Sequence, residues 1–322
     1  MVAVPRPEVQ GQAEPGCGFS SLPGHERAGH GPDSLSDAEF AAVTRLIHRE
    51  TGIVITSTKK SMLESRLSRR VRGLGLNSLS DYVTVLRGPG AEAERRGLVS
   101  AVTTNVTGFF REPHHFKALA QIGKPLVERA RSGGRVRLWS AGCSTGQEAF
   151  SMAATLLDLA PDIARYDLRI LATDIDPVVI ETARTGVFDH HSLGERPPPE
   201  LARFLKDGPQ AGQMVVSTEL RDLIRFEELN LLPTWPFQGN FDVIFCRNVV
   251  IYFDAETRRD LWMRFAARMP EGGMLFIGHS ERMDPRLDPF FAPVGVTQYR
   301  RTAVKVPVGG AMTRPIIGSE GG

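Results

Sequence analysis

Cysteine is scarce: the 322 residues hold three, Cys17, Cys143 and Cys246, far apart and in no CxxC pair. That excludes a disulfide framework and a thiolate metal knuckle, and all three thiols are expected free. No apolar run approaches the roughly 18–20 residues that span a bilayer. The opening MVAVPRPEVQGQ lacks the basic-then-apolar layout of a secretory signal. These absences predict a soluble, cytoplasmic protein with no direct membrane insertion. An excess of one charge is missing too. Lys and Arg number 39 and Asp and Glu 37, a net charge of +2, so there is no global attraction to nucleic acid. What is present is ordinary globular composition, 41% hydrophobic and 24% charged, long enough for one large or two modest domains. Nothing in it points beyond a monomer.

Residues 1–33 are rich in Gly, Pro and polar side chains without periodicity, and 304–322 read similarly; both are expected to be disordered. Order is expected from Ser36, which with Glu39 forms a capping-box pattern ahead of Phe40, Val43 and Ile47. A second helix is expected over 59–74, with Leu63, Leu67, Val71 and Leu74 on one stripe, and further helical segments over 80–86 and 91–102. Residues 34–104 thus predict a small all-helical domain, and 105–134 a linker and connecting helix. From Arg135 strands alternate with helices. Strands are expected over 136–140, 168–173, 224–228, 241–246 and 273–278, with a late one near 296–300. Helices are expected over 146–159, 177–184 and 255–269. This is the pattern of an α/β fold with a doubly wound, mostly parallel sheet, here over 135–303. The rhythm breaks over about 185–221, where Pro197, Pro198 and Pro199 precede DGPQAGQ, and an inserted small β-subdomain is expected there.

The most informative stretch is VRLWSAGCSTGQEAFS, residues 136–151: an apolar strand, a turn holding Gly142 and Gly146, then a helix. Such a turn lets backbone approach a ligand closely. It departs from GxGxxG, which disfavours a dinucleotide, and Glu148 at its mouth suits a cationic ligand better than a pyrophosphate. S-adenosylmethionine, with its sulfonium and ammonium, fits. One βα unit later LRILATDIDP ends a strand in Asp174 and Asp176, where nucleotide-type folds grip ribose hydroxyls. Asp176, directly before Pro177, is the better helix N-cap, which leaves Asp174 for the ribose. A third strand, FDVIFCRNVVIYF, brings Arg247, Asn248 and Tyr252 to the same rim. The segment TTNVTGFFREPHHF at 103–116 reads either as helix punctuation before Pro113 or as the donor-rich lining of a cleft.

The pairs His114/His115 and His190/His191 invite a metal, but adjacent helical histidines should point apart and no acid or thiol stands at ligand spacing, so no metal is expected. Arg66, Arg69 and Arg70, with Lys59 on the same side, form a basic face: a solvated helix surface, or a dock for an acidic partner.

Taken together, TTNVTGFFRE, WSAGCSTGQEAFS, ATDIDP, NLLP at 230–233, FDVIFCRNVVIYF and GGMLFIGHSE at 272–281 resemble the chemotaxis receptor methyltransferases, the CheR family, over about residues 36–303. The resemblance implies an S-adenosylmethionine-dependent protein-glutamate O-methyltransferase acting on chemoreceptor cytoplasmic helices. It carries cofactor contacts onto Asn105, Thr107, Arg111, Glu148, Asp174, Asn230, Leu231, Arg247 and Asn248, with Glu148 at the methionine end and Asp174 at the ribose. Arg111 and Tyr252 would border the transferring methyl. Lys59, Arg66, Arg69 and Arg70 resemble the family's receptor-docking element, whose targets, the methylation helices, are acidic. The insertion corresponds to the family's β-subdomain, which in some members holds a receptor tether peptide. Gln147–Glu148 stands where many members have two acids, and Phe150 where a tyrosine is common. The competing expectations are a non-catalytic S-adenosylmethionine-binding docking protein and a methyltransferase of another substrate.

Overall fold

The computed structural model describes residues 34–193 and 198–306. Cys17, Pro197, the N-terminal extension and most of the C-terminal tail lie outside them.

The first helix, α1 (Asp37–Thr51), starts where the capping pattern predicts: the Glu39 amide donates to Ser36 Oγ and the Ser36 amide to Glu39 Oε2 at 2.8 Å. It ends at Gly52, in the left-handed region at φ 74°. α2 (Lys60–Gly73), α3 (Leu79–Arg87) and α4 (Glu92–Val102) follow. Ile47, Leu63, Leu67, Tyr82 and Leu98 form their shared core. Leu74, expected on the α2 stripe, is instead the residue that ends the helix, and it is exposed.

Two left-handed residues, Phe110 and Glu112, turn the chain out of this domain. Pro113 then opens α5 (Pro113–Arg131), where its missing N–H costs nothing. The α/β part runs β1 (Val136–Ala141), α6 (Gln147–Leu159), β2 (Leu168–Asp174) and α7 (Pro177–Thr185). Next come β3 (Val187–Asp189), α8 (Pro199–Ala202), β4 (Leu205–Asp207), β5 (Gln213–Val216), α9 (Thr218–Arg221) and β6 (Ile224–Glu228). β7 (Val243–Cys246), α10 (Ala255–Ala266), β8 (Met274–Ile277), β9 (Phe291–Gly295) and β10 (Gln298–Arg301) complete it.

The main sheet has the order β6-β2-β1-β7-β8-β10-β9, and its first five strands are parallel. β10 pairs antiparallel with both β8 and β9. β7 (VIFC) and β8 (MLFI) are apolar and buried along their whole length because both faces are covered. α5 and α6 pack Phe116, Leu119, Phe150 and Met152 on one side, and α10 packs Trp262 and Phe265 around Trp139 on the other. Trp139 is fully buried and places its one polar atom, Nε1–H, on Thr173 Oγ1 at 2.9 Å. β3, β5 and β4 form a separate antiparallel sheet between α7 and α9, the β-rich character expected of the insertion.

Candidate functional site

β1 has β2 on one side and β7 on the other, so the loops leaving their C-terminal ends diverge and open a crevice. The helical domain closes it with Thr51, Ile53 and the segment 102–108. Every cofactor-contact position expected from the sequence lies on this cleft. Asn105, Thr107 and Arg111 come from the entering segment, and Glu148 and Asp174 from the ends of α6 and β2. Asn230 and Leu231 follow β6, and Arg247, Asn248 and Tyr252 follow β7.

The floor is the turn after β1. Gly142 sits at φ 91°, and a Cβ there would lie 2.2 Å from Val249 Cγ2, so only hydrogen lets β1 and the β7 loop come this close. The Ser144 amide donates to Asp174 Oδ2 at 2.8 Å, and its hydroxyl to the Asn105 carbonyl at 2.9 Å. Asp174 Oδ1 accepts the Asp176 amide at 3.1 Å. Burial pushes the Asp174 carboxyl up, and the backbone amides offset this only in part. A carboxylate has about four acceptor positions, so Asp174 keeps capacity for hydroxyl donors. That fits a ribose. Asp176 caps α7 through the Val178 amide and gathers Ser100 of α4 with Thr103 and Asn105 of the entering segment. Asp176 is thus the cap expected from the sequence, and it also bolts the helical domain to the sheet.

Asn230 is spent on structure. Its Nδ2 donates to the Glu50 carbonyl at 2.6 Å and its Oδ1 accepts the Leu232 amide at 2.9 Å. Leu231 supplies a buried apolar wall. Arg111 gives one N–H to the Val106 carbonyl at 3.1 Å.

Beneath the cleft lies a buried charge cluster. Arg247 Nη1 donates to Glu148 Oε2 at 3.0 Å, its Nη2 donates to the Arg111 carbonyl at 2.5 Å, and Nη2 stands 3.4 Å from Glu112 Oε2. Ser140 donates to Glu148 Oε1 at 2.7 Å. Burial raises the Glu148 carboxyl even against the opposing Arg247 charge. Burial also acts on Glu112, but hydrogen bonding from His279 and the Arg247 charge outweigh it and hold that carboxyl low. The negative charge at the turn is thus already half neutralised from within.

Two residues outside the sequence-based set organise the site. Glu281, from the loop after β8, is buried and accepts the amides of Val249 and Val250 at 3.0 Å each and that of Gly278 at 2.5 Å. It clamps the β7 loop, in which Asn248 takes the left-handed φ of 60°. Glu112 joins Arg247 to His279, and to His115 Nδ1 at 3.4 Å. The histidine expectation needs correcting: the His114 and His115 rings do not point apart but lie 4.2 Å between centroids. Glu112 curls back at φ 58° so that ligating atoms of all three lie within 4.8 Å. Among the described residues no other such trio occurs. His115 is fully buried, bonded through Nε2 to Thr297 Oγ1 at 2.8 Å, and pushed down to about 3 by burial and the Arg247 charge.

The basic face expected on α2 is divided. Arg70 makes a two-point ion pair with Glu94, both contacts 2.7 Å, and Glu94 also accepts the Tyr82 hydroxyl. Arg66 donates to the carbonyls of Val102 and Thr103 and to Thr104 Oγ1. Both therefore serve the domain itself. Lys59 and Arg69 are exposed and have no charged partner among the described residues.

Residues 38–103 match the family described as "CheR methyltransferase, all-alpha domain" and residues 105–300 the one described as "CheR methyltransferase, SAM binding domain". A "Probable chemotaxis protein methyltransferase" of Rhizobium etli is 46% identical over 260 residues, 80% of this chain and 97% of the relative. The "Chemotaxis protein methyltransferase" of Escherichia coli K12 is 39% identical over 270 residues, 83% of this chain and 91% of the relative. "Chemotaxis protein methyltransferase 2" of Pseudomonas aeruginosa is 42% identical over 249 residues, 76% and 86% of the two chains.

Proposed function

The chain belongs to the CheR methyltransferase family, a methyltransferase with an S-adenosylmethionine-binding domain, and from that premise we propose that it esterifies glutamate side chains on the acidic cytoplasmic helices of chemoreceptors. The observation that carries this reading is the convergence of Asp174, Glu148, Arg111 and Tyr252 on one cleft walled by both domains.

Bound S-adenosylmethionine supplies a methyl group made electrophilic by its sulfonium. Asp174, with acceptor capacity left over, takes the ribose hydroxyls, and the Gly142 turn admits the cofactor against bare backbone. Glu148 meets the positive methionine end, its charge tempered by Arg247 so that the cluster tolerates burial when nothing is bound. Asn105, Thr107, Asn230, Leu231 and Asn248 complete the walls.

A substrate glutamate has a pKa of roughly 4.3 and is ionised at pH 7. The chain therefore needs no general base, and its contribution is alignment and exclusion of water. Arg111 retains N–H groups beyond the one given to Val106 and steers the incoming carboxylate. Its hold must stay loose, because an over-stabilised nucleophile reacts slowly. The Tyr252 hydroxyl orients the same carboxylate, and exposed Lys59 and Arg69 receive the acidic helix.

The test is transfer of radiolabelled methyl to membranes carrying chemoreceptors. Label on a receptor, released as methanol by mild base, is the expected result. Base-stable label, or none despite cofactor binding, would overturn the carboxyl-ester reading.

A further inference from the structure

On the far side of the 51–55 segment from the cleft, the helical domain carries a groove of about 970 Å³ between α1, α3 and α4. Four arginines frame it, Arg45 and Arg49 from α1, Arg87 from α3 and Arg95 from α4, and among the described residues no carboxylate lines it. Its floor is apolar and includes Val54, 40% exposed. Arg49 pairs with neighbouring Glu50, whereas Arg45 makes no ion pair among the described residues, and the Arg95 Nε is buried without a hydrogen-bond partner. A buried guanidinium nitrogen lacking an acceptor carries a desolvation cost that an anion would remove. Apolar floor, cationic rim and no acid together match one kind of occupant, an amphipathic helix with acidic flanks.

The groove and the cleft are lined by neighbouring residues of the one segment 51–55. Thr51 and Ile53 face the cleft, while Val54 and Ile55 face the groove. The Val54 amide donates to the Tyr252 carbonyl at 2.9 Å. Beside it His48, which also lines the groove, lies 3.3 Å from Asp254 Oδ2, two residues past Tyr252. Anything that presses on Val54 and His48 bears on the backbone that places Tyr252.

We propose that this groove is a second docking face, distinct from the exposed cations of α2, for an acidic helix of the receptor, and that its occupancy is relayed to the cleft through residues 51–55. The proposal rests on the receptor-methylating reading above.

The experiment uses the full chain, a purified chemoreceptor cytoplasmic fragment and labelled S-adenosylmethionine. In the double variant Arg45→Glu/Arg87→Gln, both positions being exposed, KM for the fragment is expected to rise about tenfold or more, the more so at low salt. In the wild type the fragment should also tighten cofactor binding, by the reciprocity of coupled sites, and the variant should lose that tightening. Val54→Asp, which charges the floor without touching an arginine, should repeat both effects if the double variant folds poorly. An unchanged KM in folded variants overturns the proposal while leaving the methylating reading intact. No label with the wild type instead overturns that reading itself. A concentration-dependent dimer present in the wild type and lost in the variant would give the groove to a second copy of the chain and overturn the receptor assignment.

Discussion

Asp174 shows how far a single residue was legible. Pro177 marked Asp176 as the cap, and the structure has it on Val178; elimination left Asp174 for the ribose, and the structure puts it on the cleft under the Ser144 amide. Asp174→Asn should weaken cofactor binding by about 1.5–3 kcal/mol, the worth of hydrogen bonds to a charged acceptor, which calorimetric titration would read as a tenfold or larger rise in Kd. An unchanged Kd would remove Asp174 from the ribose site. His115 was misread for a physical reason: ideal helical geometry sends adjacent side chains apart, but these histidines occupy the first turn after the left-handed Glu112. Because His115 is held neutral with a folded value of about 3 against 6.5 unfolded, the unfolded chain binds more protons in that window. Its stability contribution is whole above pH 6.5 and is lost as pH falls toward 3, amounting to about 2 kcal/mol by pH 5. Urea melts at pH 7 and pH 5 should show that loss, and His115→Gln should reduce it; identical slopes for the two proteins would contradict the assignment.

At the scale of elements, helices with caps and fully apolar strands were legible because their signals are local. β6 matches its expected bounds, and β1 and β2 extend one residue past theirs. β9 was missed: it is a short edge strand containing Pro293, with most of its residues partly or fully exposed, so it carries neither alternation nor an apolar run. α10 ends at Ala266, three residues before its expected end. Glu281 was quoted within a motif but given no role, since nothing in one sequence tells a buried carboxylate that collects backbone amides from a surface acid. Its two oxygens together accept at least three N–H groups, Val249 and Val250 of the β7 loop and Gly278 just after β8. A Gln there must turn an NH₂ toward one of those donors. Glu281→Gln should therefore behave like Glu281→Ala, each lowering kcat/KM for S-adenosylmethionine by about 10- to 100-fold, on the scale of an unsatisfied buried donor. A Gln variant with wild-type kinetics would show that the loop holds its shape without the carboxylate.

At the scale of the whole molecule, the two-part layout was legible, but the division of labour among the basic residues was not. Four cations looked equivalent on a helical wheel. Folding commits Arg70 to Glu94 and Arg66 to the carbonyls that lead into Asn105, which leaves Arg69 and Lys59 at the surface. Long-range pairing of this kind leaves no periodic trace. Arg66 is thus bound up with the cleft, and Arg69 is the sound probe of docking.

The measurement that tests the account most directly is steady-state methyl transfer to a receptor fragment by Arg111→Ala and Arg69→Glu, side by side. The account predicts a fall in kcat of about 100-fold for Arg111→Ala with little change in receptor KM, since alignment acts at the transition state. It predicts a rise in receptor KM of about tenfold for Arg69→Glu with kcat retained. Both variants moving the same parameter would contradict it.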